Sequence, residues 1–96
     1  MARTKPPPSK SPPAAISVRV LFFASLADLM GERRRSLRLA AGATIADALR
    51  DLSLDVPELA AHAPHVSFAV NETIVSADAA LSDGDELALI PPVSGG

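Results

Sequence analysis

The sequence predicts an α+β domain in which one main helix packs across one face of a β-sheet. Residues 16–23 alternate between two faces, with the two-residue period of a strand. Residues 44–52 combine a helix-capping start with apolar residues three and four positions apart, which is the spacing of a helix face. Residues 86–90 form a short apolar segment that is typical of a central strand. A chain of 96 residues is expected to build one domain.

The first half of the predicted domain is a strand, a short helix and a second strand. Alternation along the first strand turns one set of side chains to the core and leaves Leu21 and Phe23 on the opposite face. The core-facing set is Ile16, Val18, Val20 and Phe22. Ser25 and Asp28 form a Ser-x-x-Asp start for a short helix that ends at Gly31.

A charged connection at residues 32–35 precedes the second strand, which the pattern predicts at residues 36–39. Leu37 and Leu39 share one face of that strand. Three consecutive arginines at residues 33–35 are more typical of a solvated turn or strand edge than of an anion site.

The second half begins with the main helix, for which Thr44 is the predicted N-cap and Asp47 its capping-box partner. Its apolar stripe consists of Ile45, Ala48, Leu49 and Leu52. Residues 57–63 add a second helical segment that Pro64 is expected to end.

The remaining strands are predicted at residues 66–70, 73–75 and 86–90. Residues 71–72 reverse the chain between the first two, and residues 82–85 form the turn before the last. In the last strand Leu87 and Leu89 should face the core, which places Ala88 and Ile90 on the outer face beside Leu21 and Phe23. Exposed apolar residues that lie close together mark an interaction site, so this outer face is the predicted docking surface.

Composition excludes several classes of function. Residues 1–15 carry five prolines and three basic residues, and predict a disordered or polyproline-like extension before a domain at residues 16–92. The rest of the chain carries six basic against eleven acidic residues and contains no Trp or Tyr, so nucleic-acid binding is not expected. No apolar run is long enough for a membrane span, and no membrane association is expected.

The internal side chains form no recognisable active-site or metal-site motif. The chain has no Cys, and its two histidines, His62 and His65, lack the additional ligands that a metal site needs, so surface positions are predicted for both. No phosphate-binding loop, dinucleotide loop or nucleophile motif is present.

The last residues of the sequence are the feature with the clearest functional signal. Pro91-Pro92 must take the chain out of the sheet, because two prolines fix φ and remove two backbone donors. Residues 93–96 form a tail that ends in the thin, conformationally free pair Gly95-Gly96. A frayed terminus is the ordinary interpretation. The rigid Pro-Pro before a double glycine instead favours a tail that enters a narrow pocket and presents its α-carboxylate at a reactive centre.

Two segments resemble the small subunit of molybdopterin synthase, a family of ubiquitin-like β-grasp sulfur carriers. They are VLFFASL at residues 20–26 and VNETIVSADAALSDGDELALIPPVSGG at residues 70–96, with the capped helix between them. The resemblance begins near Ile16 and implies a mixed β-grasp sheet with one main helix on one face and further short helices. The sequence departs from the family in its proline-rich N-terminal segment and in Leu89-Ile90, where aromatic residues often precede Pro-Pro.

The resemblance also implies a reaction and its partners. An ATP-using, ubiquitin-activating-like adenylyltransferase would adenylate the carboxylate of Gly96, and sulfur would replace the adenylate to give a thiocarboxylate. The tail would enter the large synthase subunit, in a heterotetramer, and donate sulfur to cyclic pyranopterin monophosphate. The implied contacts are the outer-face residues Leu21, Phe23, Ala88 and Ile90 together with the tail residues Pro91, Pro92, Val93, Ser94 and Gly95. A cytoplasmic location, no cofactor held by this chain and catalytic side chains in the large subunit are expected.

Three other functions compete with this interpretation. A sulfur carrier for thiamine thiazole synthesis shares the fold and the double glycine, but Pro-Pro-Val-Ser before the glycines favours the molybdopterin branch. A ubiquitin-like modifier would end as an isopeptide on lysines. A plain interaction module would have a tail without a role.

Overall fold

The computed structural model describes residues 15–92, and its nine elements follow the predicted order. They are β1 (Ala15–Phe22), α1 (Ser25–Met30), β2 (Arg34–Ala40), α2 (Ile45–Asp55), α3 (Leu59–His62), a 3₁₀ turn (Ala63–His65), β3 (Ser67–Val70), β4 (Thr73–Val75) and β5 (Glu86–Ile90). The predicted tail and nearly all of the predicted N-terminal extension lie outside the described residues. Ala15, assigned to that extension from the sequence, is instead the first residue of β1 and pairs with Ala40.

The five strands form one mixed sheet in the order β2-β1-β5-β3-β4. β1 runs parallel to β5 and antiparallel to β2, and β3 is antiparallel to both of its neighbours. The last strand in sequence therefore lies in the centre of the sheet, as its apolar composition predicts. The parallel β1–β5 pair requires a long crossover, and the chain makes it through α2 and the segments that follow.

The core lies between one face of the sheet and the helices. Alternation places every second residue of β1 in it, and Leu87 and Leu89 of β5 have no exposed surface. The predicted helix stripe is buried against them, with Ile45 and Ala48 fully enclosed. The alternation predicted for β1 and the apolar stripe predicted for α2 are thus confirmed. The apolar faces of this strand and this helix are buried in the same core.

The capping box of α2 is formed as predicted. The Thr44 hydroxyl accepts a hydrogen bond from the Asp47 N–H at 3.2 Å, and the Asp47 carboxylate accepts one from the Thr44 N–H at 2.9 Å. The Asp47 carboxylate also accepts a hydrogen bond from the Thr44 hydroxyl at 3.2 Å. The Thr44 N–H, first, and this hydroxyl hold the pKa of Asp47 below its ordinary value. The charged form of the Asp47 carboxylate is therefore stabilised at the start of α2, where the sequence places the capping box.

α1 begins at Ser25, the residue predicted for its start, but the predicted side-chain cap is absent. Ser25 does not cap this helix but is its first residue, and the preceding Ala24 adopts a left-handed φ of 49° without any side-chain cap. The reason is the sharp change of direction after β1, where the N–H groups of Leu26 and Ala27 bond to the carbonyls of Phe23 and Ala24. The predicted end is confirmed, because Gly31 has φ 76° and its N–H bonds to the Ala27 carbonyl.

Two further boundaries differ from the prediction. β2 begins at Arg34 rather than at residue 36, because backbone pairing with Val20 and Leu21 extends the strand through the charged residues. Pro64 does not end the helical segment but lies in the first turn of the 3₁₀ stretch, where its missing N–H has no partner to lose. The arginine run thus lies partly on an edge strand, as the strand-edge interpretation anticipated.

Candidate functional site

The tail leaves the fold from the centre of the sheet. β5 ends at Ile90, Pro91 is half-buried, and Pro92 is exposed. The prolines follow a strand that is hydrogen-bonded on both sides, by β1 and by β3, so the point of exit is held by two neighbours. The predicted tail residues Val93, Ser94, Gly95 and Gly96 lie outside the described residues.

Hydrogen bonds to neighbouring segments hold the beginning of β5. Asp83 accepts a bond from the Ser17 N–H at 2.7 Å, and the Gly84 N–H donates to the Ser17 carbonyl at 2.8 Å. The Asn71 side chain accepts from the Glu86 N–H at 3.0 Å and donates to the Asp85 carboxylate at 2.9 Å. The turn before β5 is therefore tied both to β1 and to the β3–β4 hairpin. Because these bonds hold the beginning of β5 in place, they also help to fix the position of its other end, where the tail begins.

The four predicted outer-face residues lie together in the sheet. Leu21 is directly opposite Ala88, and the Phe23 N–H donates to the Leu89 carbonyl at 3.3 Å, which puts Phe23 level with the end of β5. Phe23 is 46% exposed, while the other three are half-buried. Because β1 and β5 are parallel, this apolar group lies at the end of the sheet from which the tail departs.

The structure adds two residues to this surface that the sequence analysis did not select. Ala69 of β3 lies opposite Ala88, and Ile74 of β4 lies opposite Ala69, so the row runs from Leu21 across four strands. Ile74 is a large apolar side chain that is 67% exposed, whereas Ala69 is buried within the row. Alternation along β3 could have indicated Ala69, but only the pairing register shows that both residues extend the same row. We call the surface formed by Leu21, Phe23, Ala69, Ile74, Ala88 and Ile90 the outer patch.

A groove adjoins the outer patch at the tail end of the sheet. It has a volume of about 780 Å³ and lies between the end of β1, α1 and the connection to β2. It is lined by the apolar residues Leu21, Phe22, Phe23, Ala24 and Ala27 and by the charged residues Asp28, Glu32 and Arg33. The patch and the groove together offer a partner a flat apolar surface and a concave surface of mixed polarity.

The polar side chains of the described chain do not form a catalytic cluster. Residues 15–92 contain no buried polar or charged side chain, and no group of three or more potential metal ligands occurs among them. His62 and His65 are both exposed, as predicted. Over the same residues, no helix has the length and apolar character required to cross a membrane.

The architecture defines the class of protein. A mixed five-stranded sheet with one main helix packed on its inner face is the ubiquitin-like β-grasp arrangement. A ubiquitin from Caldiarchaeum subterraneum superimposes with a TM-score of 0.55 over 85% of this chain and 99% of its own, at 14% identity, which indicates the shared fold. The protein is therefore a β-grasp protein of the α+β class.

The chain belongs to the ThiS family, whose model matches residues 20–96. The molybdopterin synthase sulfur carrier subunit of Escherichia coli is 40% identical over 82 residues, which cover 82% of this chain and 99% of the relative. The subunit of the same name from Arabidopsis thaliana is 35% identical over 83 residues and covers 86% of each chain. Small archaeal modifier protein 3 of Haloferax volcanii is 32% identical and covers 84% of this chain and all of the relative.

Solved structures give the same two kinds of relative. Small archaeal modifier protein 1 of Haloferax volcanii has a TM-score of 0.73 at 33% identity, over 83% of this chain and 99% of its own. A complex of subunits 1 and 2 of the molybdopterin-converting factor from Helicobacter pylori contains a chain with a TM-score of 0.58 at 26% identity. That match covers 84% of this chain and all of the other. The resemblance proposed from the sequence to the molybdopterin synthase small subunit is thus confirmed.

Proposed function

We propose that this protein is the sulfur carrier of molybdenum cofactor biosynthesis and acts as the small subunit of molybdopterin synthase. The observation that carries the proposal is the Pro91-Pro92 exit from the central strand, followed by a tail that ends in Gly95-Gly96. Curated relatives from Escherichia coli and Mycobacterium tuberculosis, each matched over 99% of its length, bear the name of that subunit. A strand buried on its core face and paired on both edges gives the tail a fixed base, and the residues beyond Pro92 give it reach.

The reacting group in this proposal is the α-carboxylate of Gly96. A carboxylate is a poor acyl donor, so its oxygen first attacks the α-phosphate of ATP, which forms an acyl adenylate and releases pyrophosphate. A sulfide equivalent then displaces AMP and leaves a thiocarboxylate on Gly96. Attack of that sulfur on cyclic pyranopterin monophosphate joins it to the pterin, and water then cleaves the bond between the Gly96 carbonyl carbon and sulfur, which returns the carboxylate. Two such transfers supply both sulfurs of the dithiolene. Glycine suits this role because no Cβ hinders approach to the carbonyl carbon.

The outer patch is the proposed contact for the large subunit and for the adenylyltransferase. Leu21, Phe23, Ala88 and Ile90 would pack against the partner, while Pro91, Pro92, Val93 and Ser94 would guide the tail into it. The Helicobacter pylori relative forms a complex with subunit 2 of its converting factor, which supports a large-subunit partner. We infer a heterotetramer of two small and two large subunits, with the catalytic side chains on the large subunit. The ATP requirement of the activation step favours a cytoplasmic location.

The direct test alters Gly96 and measures sulfur transfer to the pterin precursor with purified activating enzyme and large subunit. Deleting Gly96 withdraws the carboxyl carbon by about 3.5 Å. A displacement near 1 Å can already cost about 100-fold in rate, so the shortened tail should be inactive. An added residue should also abolish transfer, because it converts the reacting acid into an amide. Gly96→Ala should be impaired by its methyl group.

The matched control is thermal melting of the same variants, which should equal that of the parent because residues 93–96 follow the last strand of the sheet. Mass spectrometry of the carboxyl terminus after activation should show one sulfur in place of one oxygen. Normal molybdopterin formation by the Gly96 deletion would disprove the carrier proposal.

A protein modifier is the second candidate, and the similarity to small archaeal modifier proteins favours keeping it. Both functions begin with adenylation of Gly96 but differ in the acceptor. Lysine-linked adducts on cellular proteins would identify a modifier, whereas a terminal thiocarboxylate without such adducts would identify a carrier. A carrier for thiamine thiazole synthesis would transfer sulfur to a thiazole precursor, and exchanging the large synthase subunit for that system's acceptor enzyme distinguishes the two pathways.

A further inference from the structure

Positive charge is concentrated on one edge of an otherwise acidic domain. Residues 15–92 carry six arginines, no lysine and eleven acidic residues, and four of the arginines lie at residues 33–38. Three of these belong to β2, which forms one edge of the sheet. Arg34 lies opposite Leu21 and so borders the outer patch, but Arg35 and Arg38 lie further along β2, opposite Val20 and Ser17.

Two of the strand arginines have no ionic partner among the described residues. Arg35 bonds to Glu32 and to Asp55, and the hydrogen bond to Glu32 is the main reason that the pKa of Arg35 is raised. Arg34 and Arg38 are exposed and take part in no ion pair within residues 15–92. Their guanidinium groups are therefore available to carboxylates supplied from outside this part of the chain.

The free edge of β2 can be assigned from the hydrogen-bond register. The Phe22 N–H bonds to the Arg33 carbonyl at 2.8 Å, so the alternate residues Arg35, Leu37 and Leu39 direct their backbone groups to β1. The backbone N–H and carbonyl groups of Arg34, Ser36 and Arg38 consequently point away from the sheet. No described hydrogen bond outside the sheet ladder involves the N–H groups of these three residues. Two of the three positions with outward backbone groups thus carry the arginines that form no ion pair within residues 15–92.

We propose that the β2 edge binds an extended acidic segment of a protein partner by strand addition. Backbone groups of Arg34, Ser36 and Arg38 would form the ladder, as in other complexes in which a peptide extends a sheet. In an antiparallel ladder, the residues opposite Arg34 and Arg38 are four positions apart and project to the same face. The bound segment therefore carries Asp or Glu at two positions separated by three residues.

Other occupants fit this edge less well. A second copy of the chain that paired β2 with β2 would bring arginines against arginines, and directly opposed like charges are unfavourable. A single-stranded nucleic acid would need stacking platforms, but the chain has no Trp or Tyr and the domain is acidic overall. Exposed charges also protect an edge strand from indiscriminate pairing, and that role is compatible with selective recognition of an oppositely charged strand.

The test uses defined peptides and the full chain. The first probe is a fluorescent peptide of about ten residues, alternating Val and Thr, with Glu at two positions four apart. A second peptide replaces both Glu residues with Lys, and a third probe is an oligothymidylate. Fluorescence anisotropy should show binding of the Glu peptide and none of the Lys peptide, and affinity should fall as salt rises from about 0.05 to about 0.5 M. Backbone amide exchange of Ser36 and Arg38 should slow in the complex.

Two variants separate the contribution of the arginine charges to peptide binding from the contribution of the backbone hydrogen bonds. Replacing both Arg34 and Arg38 with Ala should weaken peptide binding by roughly 3- to 30-fold, as expected for the loss of two exposed cross-strand pairs. Ser36→Pro removes a donor from the free edge but none from the β1 ladder, so binding should fall while the melting temperature changes little. Arg50→Ala, in a helix and paired with Asp47, is the control and should bind normally.

The result that overturns the proposal is equal binding of the Glu and Lys peptides, or full binding by a folded Ser36→Pro variant. Tighter binding of oligothymidylate than of the Glu peptide would also overturn it in favour of a nucleic-acid contact. If Ser36→Pro does not fold, the Arg34→Ala/Arg38→Ala variant and the exchange rates of the parent decide the question alone. Because these measurements involve no sulfur transfer, their outcome is independent of the proposed carrier function.

Discussion

Leu89 and Ile90 are neighbours in β5 but point to opposite faces of the sheet. We predict that substitution of Leu89 lowers the stability of the domain, whereas substitution of Ile90 weakens binding to the partner. Leu89 is fully enclosed in the core, so Leu89→Ala should destabilise the domain by about 3 kcal/mol, within the usual 2–5 kcal/mol for a buried leucine. That loss corresponds to a fall in melting temperature of about 12–24 °C for a domain of this size. A domain of this length has a total stability of only about 4–12 kcal/mol, so the effect should be large.

Ile90 is half-buried on the outer patch, so Ile90→Asp should cost the isolated domain only about 1 kcal/mol, the span of strand propensities. In the complex, however, the new carboxylate would be enclosed against an apolar surface without a partner. Binding to the large subunit should therefore weaken by at least about 30-fold, which is about 2 kcal/mol. Phe23→Ala should weaken binding in the same direction without introducing a charge.

Urea unfolding measures the first effect and isothermal titration calorimetry with the large subunit measures the second. Leu54→Ala is the matched control for folding, because Leu54 is 78% exposed and its truncation should change stability by no more than about 0.5 kcal/mol. If Leu89→Ala and Leu54→Ala cost the same, the assignment of the two faces of β5 is refuted. Unchanged affinity of both Ile90→Asp and Phe23→Ala would refute the outer patch as the docking surface.

Three further predictions concern the fold and its surroundings. Thr44→Ala removes the N-cap of α2 and should cost about 1 kcal/mol, or about 4–8 °C in melting temperature, and an unchanged melting curve would contradict the cap. Because the folded state lowers the pKa of Asp47, its contribution to stability is complete above the unfolded pKa of about 4 and is lost as pH falls through the folded pKa. Asp47→Asn should therefore flatten the acid side of the stability curve, and an unchanged slope would count against that linkage. A chain that begins at Ala15 should fold and accept sulfur at the parental rate, because the composition of the preceding residues is unsuited to a packed core, and loss of either property would contradict this.

The sequence predicted the fold where one local pattern determines one structure. The alternation in β1 and the stripe of α2 each fix a buried face, and slipping either by one residue would expose it to solvent. Thr44 and Asp47 define a helix start through atoms only three residues apart, so no long-range information is needed. The turns at residues 71–72 and 82–85 are similarly local and were placed correctly, and in the structure Asn71 and Gly84 adopt a left-handed backbone.

The errors occurred where distant residues decide the backbone. Ala24 carries no sequence signal for a left-handed φ, and its conformation follows from the direct passage of β1 into α1. Arg34 and Arg35 are poor strand residues by composition, but the ladder with β1 includes them because backbone pairing does not depend on side-chain type. The charged composition of residues 33–35 is therefore the reason that Arg34 and Arg35 were not assigned to the edge strand.

The candidate site was predictable in part for the same reason. Leu21, Phe23, Ala88 and Ile90 follow from alternation once their strands are assigned, but their proximity requires the parallel pairing of β1 with β5. Ile74 was missed because a three-residue strand gives little alternation to analyse. Its place in the outer patch depends entirely on which strand lies beside it.

The central position of β5 explains how one short strand can serve both stability and the proposed transfer. Its core face carries Leu87 and Leu89, which are fully enclosed, and its two edges are occupied by β1 and β3. Local opening of such a strand requires disruption of the core, so its end should be among the least mobile parts of the sheet. A reactive terminus that must reach a pocket in another protein benefits from this arrangement, since freedom is needed only beyond Pro92. If the tail followed an edge strand such as β2 instead, fraying of that strand would displace the base of the tail, and the reacting group would be positioned less accurately.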